Sequence, residues 1–188
     1  MTFANDKQQF LKKPDKSSAG GIDKEILPLT RKINKFHHYY TTSSCSGRII
    51  LMKETGKKQE SVFLFVSHSK VNFKQLKKAL NHTIRYLGMI YLKIEPCIMH
   101  VACKDIEHAN KLVNLARQAG WKKSGIISTK KDKVMCELVS TEILAAPIMN
   151  KGEFIIQEDY LKALASECNK KLAQTREKIR KLEKAVKP

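Results

Sequence analysis

Read from the N-terminus, the spacing of apolar residues alternates between a helical period and a strand period. Asp23 opens a stretch in which Ile26, Leu27, Leu29, Ile33 and Phe36 share one side of a helix, with Pro28 tolerated in its first turns. Ile49–Met52 and Ser61–Ser67 are strand-like and are joined by the polar turn Thr55-Gly56-Lys57-Lys58, which predicts a hairpin. In its second strand Val62, Leu64 and Val66 alternate with Phe63, Phe65 and Ser67, so apolar side chains fall on both faces and helices are expected over both. Asn72–Tyr86 reads as a helix with Phe73, Leu76, Ala79 and Leu80 inward and Lys74, Lys77 and Lys78 outward.

The second half repeats the alternation. Tyr91–Cys103 is extended but interrupted by Glu95-Pro96, and a proline inside a strand points to an edge or a bulge. Asp105–Gln118 is a helix with Ile106, Ala109, Leu112, Val113 and Ala116 on one face, Gly120 as its C-cap and Trp121 folded back on it. Ser124–Thr129 and Val134–Val139 make a second hairpin around Lys130-Lys131-Asp132-Lys133, and Ser140–Asn150 reads as irregular. From Gln157 to the end runs one long helix. Its Leu161, Ala165, Cys168, Leu172, Thr175, Ile179, Leu182 and Val186 recur at spacings of four and three and mark a seam, whose first half is expected to dock while the basic end projects. The expected class is therefore α+β or mixed α/β, a large mixed β-sheet with flanking helices. The expected organisation is a basic N-terminal arm over residues 1–21, extended or disordered, a mixed-sheet domain over 22–156, and a C-terminal helix over 157–188 packed on it.

Charge narrows the class of partner. Lys and Arg number 36 against 18 Asp and Glu, a formal charge of +18 with a pI near 9.8, and the excess is spread along the chain. That distribution favours a polyanion over a neutral metabolite. The five cysteines (Cys45, Cys97, Cys103, Cys136 and Cys168) form no CxxC pair, which argues against a zinc ribbon or a secreted disulfide framework and suits a reducing cytoplasm. No signal peptide and no membrane-length apolar run is visible.

One stretch is too polar for core and too specific for a linker: Tyr39-Tyr40-Thr41-Thr42-Ser43-Ser44-Cys45-Ser46-Gly47-Arg48, read as a loop feeding the strand at Ile49. Its hydroxyls both donate and accept, Gly47 permits positive φ, and Arg48 offers a planar fork for a carboxylate or phosphate. An ordinary Ser/Thr turn explains the same residue types. Cys45 with His68 or His100 as base would make a thiol nucleophile, although a free cysteine beside a strand is more often a small buried apolar group. His68 and His100 lack the second ligand at short spacing that a metal site needs, so no metal is expected. Glu95 is either a kink residue or a carboxylate for a ribose or cation. Neither a GxGxxG after a strand nor a Walker loop is present, so no Rossmann or P-loop nucleotide site is expected. Residue chemistry alone stops at a basic domain with an RNA or nucleotide ligand, and a non-catalytic RNA-binding module fits it as well as an enzyme does.

The order of four motifs carries more. Tyr40-Thr41-Thr42-Ser43-Ser44-Cys45-Ser46-Gly47-Arg48-Ile49, then Val66-Ser67-His68, then Glu95-Pro96-Cys97-Ile98-Met99-His100-Val101, then Gly120-Trp121-Lys122-Lys123-Ser124-Gly125-Ile126 resembles the wybutosine-synthesizing protein 3 family from about residue 15 onward. The resemblance implies an S-adenosylmethionine-dependent methyltransferase acting on ring nitrogen 4 of a tricyclic guanosine beside the anticodon of phenylalanine tRNA, a fold without the usual cofactor loop, and a monomer. It implies a cofactor pocket formed by Ser43, Ser44, Ser46, Gly47, Arg48, Ser124 and Gly125, and catalytic roles for His68, His100 and Glu95. It also implies tRNA contacts at Tyr39, Tyr40, Lys122, Lys123, Lys130 and Lys131. Three positions depart from the pattern: Cys97 stands where an aromatic is familiar, Trp121 where Phe is usual, and Ala145-Ala146 where an acidic residue is common.

Overall fold

The computed structural model describes residues 2–13, 21–54, 62–81, 83, 86–130 and 132–187. The hairpin turn at Thr55–Lys58 and the tip residue Lys131 lie outside them. The chain divides into two compact units, Met1–Ser46 with Cys97–Thr141 and Thr175–Pro188, and Gly47–Pro96 with Glu142–Gln174.

The first unit opens with α1 (Phe3–Leu11), capped by the Thr2 hydroxyl. The sequence reading of this segment as extended or partly disordered is corrected over Phe3–Leu11, while residues 14–20 lie outside the described residues. Phe3 and Phe10 fall on one side of the helix and pack on the Tyr40 ring at 5.4 and 5.5 Å, with Asp6 between them accepting from the Tyr40 hydroxyl and from Lys133 Nζ. A polar segment is thereby ordered by three anchors at helical spacing. Helix α2 (Leu27–Lys35) follows with Pro28 in its first turn, and Asp23 does not cap it because its carboxylate is used by Ser46.

The stretch read as a polar loop is a strand, β1 (Tyr39–Cys45). Cross-strand pairing overrides turn chemistry there: β1 bonds antiparallel to β5 (Ile98–Cys103), with an irregularity between Thr41 and Ser43. The sheet is completed by the hairpin β6 (Gly125–Lys130) and β7 (Lys133–Val139), in the order β1-β5-β7-β6. Period-two alternation sorts its faces. Met99, Val101 and Cys103 on β5 and Val134, Cys136 and Leu138 on β7 are buried against α2, α4 (Ile106–Gln118) and Ile179 and Leu182 near the chain end. The opposite face carries Ile98, His100 and Ala102, and Met135, Glu137 and Val139. Helix α4 is capped by Asp105, which accepts from the His108 amide, and Gly120 has φ of +97° where the chain leaves it. Trp121 is fully buried, its indole donating to the Lys178 carbonyl.

The second unit holds β2 (Arg48–Lys53), β3 (Phe63–Ser67), β4 (Ile90–Glu95), β8 (Leu144–Asn150) and the two-residue β9 (Glu153–Phe154), in the order β3-β2-β4-β8-β9 and antiparallel throughout. The β2–β3 hairpin is as expected. Its β3 is an edge strand with Phe63 and Val66 exposed, so the expectation of cover on both faces fails there. Helix α3 (Phe73–Asn81) is shorter than the predicted Asn72–Tyr86, and starts at a reciprocal cap in which the Asn72 and Gln75 side chains each accept from the other's amide. Ser140–Asn150 is not irregular: its last seven residues pair with β4 as β8, opposite which Pro147 falls beside a register shift that absorbs its missing donor.

Helix α5 (Glu158–Ala185) is the long C-terminal helix expected. Leu161, Ala165, Cys168 and Leu172 are buried in the core of the second unit, and Ile179, Leu182 and Val186 in that of the first. The basic end is therefore docked, not projecting. The α+β class is as expected, with the strands in two antiparallel sheets where one mixed sheet was anticipated.

Candidate functional site

The open face of the first sheet carries a row of polar groups at one register level. Ser43 faces His100 across β1 and β5, His100 faces Glu137 across β5 and β7, and Gly125 faces Glu137 across β7 and β6. Ser43 Oγ lies 2.7 Å from His100 Nδ1, and His100 Nε2 lies 2.9 Å from Glu137 Oε2. A carboxylate accepts only, so Nε2 carries the hydrogen toward Glu137, and in the neutral imidazole Nδ1 then keeps its lone pair and receives the Ser43 O–H. The three side chains form a relay in which Ser43 can accept a proton as it passes its own to His100. The imidazole is 29 % exposed, open enough for a substrate to approach. Beyond Glu137, a Cβ added to Gly125 would meet nothing within 4 Å, so the row ends on open space.

The end of β1 is fixed from two sides. The Ser46 amide donates to Asp23 Oδ2 at 2.7 Å, and Arg176 donates to the Ser46 carbonyl. Burial holds the Arg176 pKa below its ordinary value, with Glu25 and Asp23 opposing the shift. Gly47 follows with φ of +86°, a conformation that favours glycine.

In the second unit Arg48 and Glu95 face each other on β2 and β4, and Arg48 Nε donates to Glu95 Oε2 at 2.6 Å. The guanidinium carbon sits 4.8 Å above the Phe63 ring. At 28 % and 39 % exposure such a pair contributes about 0–1 kcal/mol to stability. It does, however, present one fixed cation beside one fixed anion, a donor set complementary to the ammonium and carboxylate of an amino-acid zwitterion.

The sequence-derived site residues thus separate. Ser43 and His100 come together with Glu137, and Arg48 comes together with Glu95. His68 follows β3 in the second unit and has no part in the Ser43–His100–Glu137 row. Ser44 pairs with Met99 on the sheet, and Ser46 is fully buried. Ser124 is buried with its hydroxyl donating to the Trp121 carbonyl and accepting from the Val139 amide, so its polar atom ties the α4–β6 connection to the end of β7. Tyr39 and Tyr40 are corrected as tRNA contacts. Both are buried, Tyr39 donating to the His108 carbonyl, and burial pushes the pKa of each phenol up. Lys122, Lys123 and Lys130 are exposed as expected.

Glu137 escaped the sequence reading. Its signal was a lone carboxylate in the otherwise apolar Val134–Val139 run, at a position whose neighbours Cys136 and Leu138 face the core. Asp23 and Arg176 had no local signal, because their shared target lies far away in sequence.

A family model described as Methyltransferase TYW3 matches residues 5–188. The chain is 35 % identical over 182 residues to the tRNA wybutosine-synthesizing protein 3 homolog of Xenopus laevis, covering 94 % of this chain and 71 % of that one. It is 36 % identical over 174 residues to the tRNA(Phe) 7-((3-amino-3-carboxypropyl)-4-demethylwyosine(37)-N(4))-methyltransferase of Thermococcus sibiricus, covering 92 % and 87 %. The solved structure of a Pyrococcus horikoshii protein superposes with a TM-score of 0.87 at 32 % identity, covering 97 % of this chain and 93 % of that one. A hypothetical protein from Aeropyrum pernix gives 0.75 at 25 % identity, with coverages of 87 % and 99 %.

Proposed function

The chain belongs to the methyltransferase TYW3 family, and from that premise we propose that it methylates ring nitrogen 4 of a 4-demethylwyosine-type tricyclic guanosine next to the anticodon of phenylalanine tRNA, within wybutosine biosynthesis. Relatives named for a base bearing a 3-amino-3-carboxypropyl chain support that form of the substrate. S-adenosylmethionine, the methyl donor, supplies an electrophilic methyl group on a sulfonium. Arg48 and Glu95 fit its amino-acid end, the guanidinium taking the carboxylate and the carboxylate taking the ammonium.

The observation that carries the reading is the Ser43–His100–Glu137 row. Methylation of the ring nitrogen replaces its hydrogen, and that proton has to leave. Ser43 Oγ accepts the N–H as it donates to His100 Nδ1, and Glu137 stabilises the imidazolium that results. Positioning of the nitrogen supplies a further part of the acceleration. Exposed lysines, Lys122, Lys123 and Lys130 among them, take tRNA phosphates, and five cysteines held as thiols suit a cytoplasmic setting.

The test is methyl transfer from labelled S-adenosylmethionine to phenylalanine tRNA carrying the precursor base, with tRNA affinity measured in parallel. The parent protein is expected to label the base, and His100→Ala to lose activity by roughly a hundredfold with tRNA affinity unchanged. Binding of tRNA without labelling by the parent would refute the enzymatic reading and leave an RNA-binding module.

A further inference from the structure

Helix α1 has a second face that the Tyr40 contact does not use. Ala4, Lys7, Gln8, Leu11 and Lys12 recur at i, i+3, i+4, i+7 and i+8, and with His37 they line an open groove of about 440 Å³. None of these residues belongs to the Ser43–His100–Glu137 row. Leu11 remains 43 % exposed although it lies on the groove wall, which leaves an apolar surface in contact with water. Lys7 is committed elsewhere: its Nζ donates to the carbonyls of Asn34 and Phe36 at the end of α2, tying α1 down. Lys12 and His37 are exposed at the rim. The lining holds three basic side chains and no acidic one.

We propose that this groove seats one unstacked nucleotide of the RNA substrate, its base on Ala4 and Leu11 and its phosphate on Lys12, with His37 stacking and Gln8 reading the base edge. The volume lies within the range of roughly 300–1,000 Å³ found for small-ligand sites. An apolar wall gives a base a sequence-tolerant platform, and a cationic rim gives the backbone its counter-charge. Charge complementarity selects the occupant: a chain of net charge +18 whose groove carries the Lys12 ammonium and no acidic side chain favours a polyanion over an apolar peptide. Gln8 can donate and accept at once, which suits the mixed edge of a base. The inference rests on tRNA being the substrate, and it adds a contact away from the reacting nitrogen.

The experiment uses fluorescence anisotropy with an anticodon stem-loop RNA at several salt concentrations, on the full chain and on Lys12→Ala, Leu11→Ser and, as a control outside the groove, Lys74→Ala. Far-ultraviolet ellipticity checks that each variant keeps its helices. Lys12→Ala is expected to weaken binding severalfold and to lower the slope of log affinity against log salt by about 0.7, the value for one single-strand phosphate contact. Leu11→Ser is expected to weaken binding roughly tenfold with the slope unchanged, because a stacking surface carries no counterion. Parent-like affinity and slope in Lys12→Ala and Leu11→Ser overturn the proposal, and so does an equal loss in Lys74→Ala, which would mark diffuse attraction. Should the two groove variants lose affinity while the parent labels no base, the groove stands and the methyltransferase reading falls.

Discussion

Glu137→Gln tests the relay with the least change of shape. The carboxylate accepts from His100 Nε2 at 2.9 Å, and that bond fixes the tautomer that leaves Nδ1 able to take the Ser43 proton. An amide at the same place either donates to Nε2, which forces the hydrogen onto Nδ1 and points it at Ser43, or accepts without a charge. The first outcome blocks the relay. The second removes the charge-assisted part of a bond of about 1.5–3 kcal/mol. With His100 and Glu137 at 29 % and 35 % exposure, solvent screens part of this, and about 2 kcal/mol is the loss expected at the transition state. At 1.36 kcal/mol per factor of ten, kcat should fall about 30-fold. The assay is single-turnover methyl transfer at saturating tRNA and S-adenosylmethionine, with the affinity for each measured separately. The reasoning is refuted if kcat stays within twofold of the parent, or if tRNA affinity falls as much as kcat.

Three further outcomes are expected. Cys45→Ala should keep parent activity in the same assay, because the proton path runs through Ser43 and His100 and no thiol takes part; a loss above tenfold would restore Cys45 as a nucleophile. Ile179→Ala should lower stability by about 2–5 kcal/mol in urea unfolding, since the side chain is buried at 1 % exposure among Trp121 and the other apolar residues of the first core; a change below 1 kcal/mol would mean that the end of α5 is not docked. His38 has its ring 4.1 Å from that of His108, and burial, followed by the charges of His108, His37 and Lys111, pushes its pKa from 6.5 down to about 4. The unfolded chain takes up that proton as pH falls through about 6.5 while the folded chain does not, so stability present above 6.5 is lost between 6.5 and 4. Urea midpoints at pH 7 and 4.5 should therefore differ less in His38→Phe than in the parent, and an equal difference would contradict the shift.

Local periodicity was enough for much of this molecule. The α5 seam from Leu161 to Val186 is buried at every position named from its spacing, α4 opens at Asp105 and stops before Gly120 as read, and both hairpins form, because each of these features depends on residues close in sequence. The ordered motifs likewise carry the family resemblance in the sequence alone. What tertiary structure decided is everything that depends on a distant partner. Tyr39–Cys45 is polar and turn-like by composition, yet it is a strand because β5 satisfies its backbone. Leu144–Asn150 contains two alanines and a proline, weak strand formers, yet β4 recruits it. Residues 3–11 carry no continuous apolar face, and three contacts to Tyr40 and Lys133 order them. The candidate site follows the same division. His100 and Ser43 were legible as chemistry, but only the register of three strands brings Glu137 to the imidazole, and only burial removes Tyr39, Tyr40 and Ser124 from the set. A side-chain pair across strands is set by hydrogen-bond register, and register between segments 37 and 57 residues apart has no local code.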